Sequence, residues 1–331
     1  MTMQRVLPFF LSASFLLLAL GCGGPSEPAE KARTKIAVIP KGTTHVFWKS
    51  IHAGAKKASK EFDVDVIWQG PQREDDRNQQ IQVVQNFTSR GVDAIVLAPM
   101  DSKALVRPIE KAQERGIKTI IIDSALEGKG FDSFVATDNF AGGKLCAKRL
   151  VEVAGEKPKV IMLRYLEGSA STDARERGFL EGIAEFAPGA ELLSTNQYSG
   201  ATVEKALQAS QNLLNRFENV TAVFCPNESA AVGMLRALEI SGKAGKIKFV
   251  GFDFSGKLEA GLKAGYIDGL AVQSPFNMGY LGVKSAVESI RGKTIEARID
   301  TGVVMATPKN LSSPEIQDLV AIDLEKWLGK E

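Results

Sequence analysis

Short apolar runs alternate along the chain with segments that place apolar residues at helical spacing. In the first half, the apolar runs predict buried strands over residues 35–40, 64–68, 94–98 and 119–123. The segments between them predict helices over 46–62 and roughly over 76–89 and 104–115. Because these strands are nearly continuous in Ile, Val and Leu, they are typical of a parallel sheet covered by helices on both faces.

The same alternation repeats in the second half of the chain. It predicts strands over 159–163, 191–194, 222–225 and 248–252, and helices near 173–186, 202–217, 229–240 and 256–264. Two successive α/β blocks without a long linker predict two doubly wound lobes, with a short crossover near Thr137, Asp138 and Asn139. A cleft between two such lobes, at the carboxyl ends of the strands, is where a small ligand binds.

The N-terminal segment has the pattern of a secretion signal. Arg5 precedes an apolar run over 6–20, which is shorter than the roughly 20 residues that span a bilayer and is typical of a signal peptide. Residues 19–22 (ALGC) resemble a bacterial lipobox, with Ala19 where leucine is usual, so Cys22 is expected to carry lipid. The alternative is an ordinary secretory peptide in which Cys22 is incidental. We expect residues 1–21 to be the signal peptide and 22–33 a flexible, lipidated tether.

Composition and motifs narrow the functional class. The formal net charge is only +2 and both signs are interspersed, so the sequence gives no indication of a nucleic-acid partner. His45 and His52 stand seven positions apart at the start of one predicted helix, which argues against a shared metal. No phosphate-binding loop, nucleophile elbow, HExxH or CxxC motif is present, so we expect neither catalysis nor a metal or cofactor. We expect Cys146 and Cys225 to be small buried residues rather than a disulfide.

Polar and aromatic residues cluster where the predicted strands end. In a two-lobed α/β protein such residues face one cleft. Carboxylates and amides there bind vicinal hydroxyl groups, and aromatic rings pack on the apolar face of a sugar ring. The residues in these positions are Phe47, Trp48, Asp123, Tyr198, Asn227, Glu228, Asp253 and Gln273.

Four segments resemble the type I periplasmic sugar-binding proteins. They are residues 90–99 (RGVDAIVLAP), 174–179 (ARERGF), 227–233 (NESAAVG) and 250–253 (VGFD). The resemblance runs from about residue 35 to 311 and is strongest to the ribose-binding group. It implies two parallel-sheet lobes joined by a hinge that the chain crosses three times. The implied lobes are 34–137 plus 274–302, and 138–273 plus 303–331.

The resemblance also implies which residues contact the ligand. Phe47 and Trp48 match an aromatic pair that encloses the sugar ring, with Trp48 replacing a usual phenylalanine. Arg177 matches an arginine that donates to sugar hydroxyls, whereas Arg175 is expected to form a surface or hinge ion pair. His45 is either a ligand contact or a helix-entry residue. The remaining implied contacts are the carboxylates Asp123 and Asp253, the aromatic Tyr198, and the amides Asn227 and Gln273.

Three departures from the ribose pattern bear on the ligand. His45 and Ala98 stand where asparagines are usual, and Ser124 stands where an arginine follows the first aspartate. Losing an arginine removes a rigid fork of donors that a hydroxyl group does not replace. Ribose itself is therefore not expected, which leaves another pentose, a hexose, a polyol or a related signalling molecule.

The resemblance implies a binding protein that closes around its ligand by hinge rotation and delivers it to an ABC permease in the inner membrane. We expect a lipid-anchored monomer in the periplasm or at the cell surface. One alternative is a ligand sensor that docks on a chemoreceptor or sensor kinase. A DNA-binding regulator would need a headpiece where the signal peptide stands, and an enzyme using Asp123 and Asp253 as an acid–base pair has no supporting nucleophile. Leu319, Leu324 and Trp327 predict a packed helix within the tail over 312–331.

Overall fold

The computed structural model describes residues 33–329 and contains two sheets, each the centre of one lobe. The strands of the first lobe are β1 (Lys35–Ile39), β2 (Asp65–Trp68), β3 (Ala94–Leu97), β4 (Lys118–Ile122), β5 (Ser133–Ala136) and β11 (Arg298–Asp300). Those of the second are β6 (Lys159–Arg164), β7 (Glu191–Tyr198), β8 (Ala222–Phe224), β9 (Lys248–Phe252), β10 (Gly269–Gln273) and β12 (Val303–Ala306). The strand orders are β11-β5-β4-β3-β1-β2 and β12-β10-β9-β8-β6-β7. Among the described strand pairs, all are parallel except β10 with β12.

Helices cover both faces of each sheet. They are α1 (Val46–Phe62), α2 (Arg77–Arg90), α3 (Val106–Glu114), α4 (Asn139–Ala154), α5 (Ala170–Phe186), α6 (Val203–Arg216), α7 (Glu228–Ile240), α8 (Gly256–Lys263), α9 (Pro275–Ile290), α10 (Pro314–Val320) and α11 (Leu324–Leu328). Strand residues of the sheets contact buried clusters on both faces, which explains the continuous aliphatic runs. The predicted doubly wound fold is confirmed.

The chain passes between the two sheets after β5, after β10 and between β11 and β12. Strands β5, β11 and β12 have no counterpart among the predicted elements. β5 is short, and α4 carries adjacent glycines, Gly142 and Gly143, which disfavour a helix in isolation. Packing of α4 against α5 overrides that preference.

The tail differs from the prediction in two ways. It forms two helices rather than one, because Asp323 caps a new helix by accepting from the Lys326 backbone N–H. Ile316 of α10 is buried in the core of the second lobe, whereas α11 lies against α1 of the first. The Trp327 ring lies 6.1 Å from that of Phe276, between centroids. Assigning all of 303–331 to the second lobe is therefore wrong for α11.

Cys146 and Cys225 are buried, as expected, and neither forms a disulfide within residues 33–329. The signal peptide, the lipid-carrying Cys22 and the tether up to residue 32 lie outside the described residues. Within residues 33–329, no helix combines the length and apolarity that a membrane span requires.

Each lobe contains one pair of helices that approach closely at reciprocal glycines. A Cβ atom on Gly54 of α1 would overlap the carbonyl oxygen of Phe276, and one on Gly279 of α9 would overlap that of Ile51. In the second lobe, Gly143 of α4 and Gly178 of α5 contact the facing backbone in the same way. Glycine at these positions therefore sets the spacing of the helices that flank each sheet.

We predict that Gly54→Ala destabilises the protein by about 1–3 kcal/mol, because α1 and α9 must separate to admit the methyl group. Urea unfolding measures the loss. Gly256→Ala at the start of α8 is the control, since nothing lies within 4 Å of its added Cβ, and its free energy of unfolding should change by less than about 0.5 kcal/mol. Equal stability of Gly54→Ala and the wild type would contradict the close approach of these helices.

Candidate functional site

A cavity lies between the lobes, where the carboxyl ends of both sheets meet. In this closed arrangement its volume is about 30 Å³, which is enough for a water-sized molecule. A larger ligand therefore requires the lobes to separate or the lining side chains to move. The cavity is lined by Lys41, His45, Phe47, Trp48, Glu74, Asp123, Tyr165, Ser171, Thr172, Arg175, Asn227, Glu228, Asp253 and Gln273.

Two aspartates occupy equivalent places in the two lobes. Asp123 directly follows β4 and Asp253 directly follows β9. Both have positive φ angles, 62° and 72°, a backbone region that non-glycine residues rarely adopt. Each backbone N–H still donates to a neighbouring strand, to Val135 and Ala271 respectively. Such local strain is typical of functional positions, and here both carboxylates line the cavity.

Glu74 joins the two lobes. Its buried carboxylate accepts hydrogen bonds from Trp48 Nε1 at 2.9 Å and from the Tyr165 hydroxyl at 2.8 Å, and it pairs with His45 Nδ1 at 2.5 Å. Tyr165 follows β6 of the second lobe, whereas Glu74, His45 and Trp48 belong to the first. Burial alone would raise the pKa of Glu74, but the hydrogen bond and charge of His45 lower it. The closed arrangement thus contains a charged hydrogen-bond network across the cleft.

Lys41 forms a second bridge between the lobes. It follows β1 and is 3% exposed, and its Nζ lies 3.0 Å from Asp123 Oδ2. The same ammonium donates to Ser171 Oγ, at 3.1 Å, in the second lobe. Ser124 adds a further contact, because its hydroxyl accepts from the Ser171 backbone N–H. A buried charge of this kind is tolerated because it is both paired and hydrogen-bonded.

Arg175, rather than the predicted Arg177, faces the cavity. Its guanidinium donates to Asn139 Oδ1 and to the Pro226 carbonyl, lies 3.9 Å from the centroid of the Phe252 ring, and is 3.9 Å from Asp253 Oδ2. Arg177 is exposed and does not line the cavity. Helix phase explains the difference.

Residues three or four apart share a helix face, whereas residues two apart do not. Arg175 therefore shares the cavity-facing side of α5 with Ser171 and Thr172, and Arg177 points elsewhere. The structure thus places Arg175 at the cavity and Arg177 at the surface.

Tyr198 also lies outside the cavity. It ends β7, the edge strand of its sheet, and its ring packs under the Arg164 guanidinium at 4.6 Å. The aromatic residue from this part of the second lobe is instead Tyr165, which follows the neighbouring strand β6 and is 2% exposed. The strand order, with β7 at the edge and β6 inside it, is set by pairing between distant segments, which the sequence does not reveal.

The other predicted site residues do line the cavity. They are His45, Phe47, Trp48, Asp123, Asn227, Asp253 and Gln273. Of the residues that sequence reasoning did not assign, Lys41 follows a predicted strand and was detectable on that ground. Glu74 was not detectable from the sequence, because residues 73–76 (REDD) are all charged and have the pattern of an exposed loop.

The cavity is rich in hydrogen-bond acceptors. Gln273 Nε2 donates to Asp253 Oδ1 at 2.6 Å, and Gln273 Oε1 has no partner among the described residues. Glu228 accepts the Phe47 backbone N–H across the lobes, and burial raises its pKa to about 7. Within residues 33–329, no group of His, Cys, Asp and Glu has an arrangement suited to a metal ion. The site suits a neutral ligand that donates several hydrogen bonds from hydroxyl groups.

The amino-acid sequence matches one protein family and is similar to several known proteins. Residues 36–294 match a family model described as a periplasmic binding protein domain. A D-ribose/D-allose-binding protein of Pseudomonas aeruginosa is 29% identical over 94% of this chain and all of its own length. A ribose import binding protein of Salmonella typhimurium is 30% identical, over 81% of this chain and 88% of that protein.

Solved structures of solute-binding proteins are also similar to this chain. A carbohydrate transporter solute-binding protein from Agrobacterium radiobacter, in complex with D-arabinose, has a TM-score of 0.85 and 34% identity. The match covers 88% of this chain and 99% of that one. An ABC transporter solute-binding protein from Agrobacterium vitis, with bound D-fucose, has a TM-score of 0.83 and 34% identity, over 86% and 99% of the two chains.

We predict that stability falls as the pH rises from 6.5 to about 9, because His45 holds its proton more tightly in the folded protein. Burial lowers the pKa of His45, but its hydrogen bond to Glu74 and the charges of Glu74, Glu228 and Asp253 raise it to about 9. This contribution is complete below pH 6.5 and is lost as the pH passes 9, a change of roughly 3 kcal/mol. Glu228 acts in the same direction between pH 4.5 and about 7.

Urea unfolding of His45→Gln across this range measures the effect, since glutamine cannot take up the proton, and the pH dependence above 6.5 should flatten. His52→Gln is the matched control, because the pKa of His52 is lowered to about 4, by burial and by Lys56, and its contribution lies below pH 6.5. An unchanged pH profile in His45→Gln would contradict the charged pair.

Proposed function

Because this chain belongs to the periplasmic binding protein domain family, we propose that it captures a small sugar between its lobes outside the cytoplasm and delivers it to an ABC importer. The observation that carries this proposal is the cleft itself, where carboxylates, amides, an arginine and three aromatic rings from the two lobes converge. The relatives named above are binding and import proteins, and two of the similar structures hold D-arabinose and D-fucose. Their names describe binding and transport rather than catalysis.

We propose that the sugar contacts are divided between the lobes. Asp123 of the first lobe and Asp253 of the second would accept from hydroxyl groups, and Arg175 and Asn227 would donate to them. Phe47 lies edge-on to Trp48, with ring centroids 5.0 Å apart, and the pair offers an apolar wall to the sugar ring. Gln273 Oε1 would take one further hydroxyl donor.

Closure would depend on bonds that exist only when the lobes meet. Tyr165 to Glu74, Lys41 to Ser171, and the Phe47 N–H to Glu228 all join opposite lobes. Lys205 and Asp75 form another ion pair between the lobes at the exposed rim, 3.2 Å apart. A ligand that contacts both lobes adds its binding energy to these bonds and shifts the population towards the closed state.

We predict that one sugar class raises the melting temperature of the chain produced from residue 23 onward. A panel of D-ribose, D-allose, D-arabinose, D-fucose, D-tagatose and xylitol is suitable, with glycine as a negative control. At 100 times its dissociation constant, a ligand adds about 2.7 kcal/mol of stability. Arg175→Met should abolish the shift, because it removes the guanidinium donors from the cleft.

Arg177→Met is the matched control for this experiment, since it makes the same chemical change on the exposed face of α5. It should leave the shift intact. Absence of a shift with every sugar would overturn the proposed ligand class. Loss of the shift in Arg177→Met but not in Arg175→Met would overturn the proposed contacts.

We also propose that Cys22 anchors the protein to a membrane through lipid, on the strength of the lipobox-like residues 19–22 alone. Radiolabelled palmitate fed to cells producing the full chain should be incorporated into the wild type and not into Cys22→Ser. Ser26→Ala, in the adjacent tether, should be labelled like the wild type. Equal labelling of Cys22→Ser and the wild type would show that lipid is not attached at Cys22.

A further inference from the structure

A second cavity, larger than the cleft, lies beside the hinge. Its volume is about 190 Å³, and we refer to it as the hinge compartment. Its apolar wall is formed by Val46 of the first lobe, Phe254 and Val272 of the second, and Leu319 and Val320 of the tail helix α10. An apolar cavity of about 150 Å³ is enough to hold a benzene molecule, so this compartment has room for a group of that size.

The hinge compartment is adjacent to the cleft. Phe47, Asp253 and Gln273 line both cavities, so the cleft and the compartment share part of their walls. A ligand held by Asp253 and Gln273 in the cleft therefore has one end next to the compartment. The two cavities can act as subsites for two parts of one molecule.

Two buried polar atoms at the compartment have no hydrogen-bond partner among the described residues. They are Gln273 Oε1 and Ser255 Oγ, on side chains of residues that are 2% and 6% exposed. Buried polar atoms are normally paired, so each marks a place where a ligand would make a hydrogen bond. The compartment also contains Glu259, whose charge is already paired with Lys263 at 2.7 Å.

We propose that the hinge compartment receives a short apolar substituent carried by the sugar, so that the preferred ligand is an alkyl or aryl glycoside rather than a free monosaccharide. This inference rests on the proposed function, because the sugar itself would occupy the cleft. The glycosidic oxygen would accept from Ser255, and a neighbouring sugar hydroxyl would donate to Gln273 Oε1. The substituent would pack against Phe254, Val272, Leu319 and Val320.

The test compares free and substituted sugars by isothermal titration calorimetry. The probes are D-ribose, D-allose, D-arabinose and D-fucose, each as the free sugar and as both anomers of its methyl, n-propyl and phenyl glycosides. Each buried methylene contributes about 0.8 kcal/mol, or roughly fourfold in affinity. For one anomer of the sugar that binds, the propyl glycoside should bind at least about tenfold more tightly than the methyl glycoside.

Two filling variants and one control variant assign the effect to the compartment. Val320→Trp fills it from the tail and should remove the advantage of the propyl and phenyl groups, while the affinity for the free sugar stays within about twofold of wild type. Asp318→Trp places the same bulk on the exposed side of α10 and should behave as the wild type. Leu319→Trp is a second filling variant and should repeat the result of Val320→Trp if that variant folds poorly.

The outcomes separate this inference from the proposed function. Free sugars that bind while every glycoside binds more weakly would overturn the inference and leave the proposed function standing. A glycoside advantage that persists in both filling variants would also overturn it, because the substituent would then lie elsewhere. Failure of every probe, free or substituted, would overturn the proposed function and this inference with it.

Discussion

The carboxylate of Glu74 lies where the two lobes meet, and it accepts hydrogen bonds from both of them. A carboxylate removed from water is costly unless it is paired and fully hydrogen-bonded. His45 and Trp48 provide two of its partners within the first lobe, and Tyr165 provides the third from the second. Opening the cleft exchanges the Tyr165 bond for water, whereas closing it requires that bond to form again. In the arrangement that this contact joins, Asp123 of the first lobe and Asp253 of the second line the same cavity.

Charged groups in the cleft are arranged in pairs, each within one lobe and each next to the interface between the lobes. Lys41 lies beside Asp123, His45 beside Glu74, and Arg175 near Asp253. Burial raises the pKa of Asp253 and of Glu228, so these acids hold their protons more readily than exposed ones. A neutral ligand with many hydroxyl groups can exchange hydrogen bonds with such pairs without adding a charge of its own, which is a physical reason for a sugar rather than an ion in this site.

The tail helices α10 and α11 contact both lobes, and α10 also lines the hinge compartment. Helix α10 packs into the core of the second lobe and contributes Leu319 and Val320 to the hinge compartment, whereas α11 rests on α1 of the first lobe. Lys60 Nζ lies 5.3 Å from the centroid of the Trp327 ring, which adds a cation–π contact to this docking. The segment that was expected to be a packed helix without evident function thus forms part of the wall next to the cleft.

The sequence alone determined the α/β alternation, the two lobes and about half of the residues that line the cleft. It did so because burial on both faces of a parallel sheet leaves continuous aliphatic runs, and because residues that end parallel strands, such as Asp123, Asp253 and Gln273, gather at one edge. Only the tertiary structure shows that Arg175 rather than Arg177, and Tyr165 rather than Tyr198, line the cavity. It also shows that Glu74 is buried and that α11 lies against the first lobe. These placements depend on helix phase, on strand order and on contacts with residues distant in sequence. The periodicity of apolar residues indicates only whether a position is buried, not which residue it contacts.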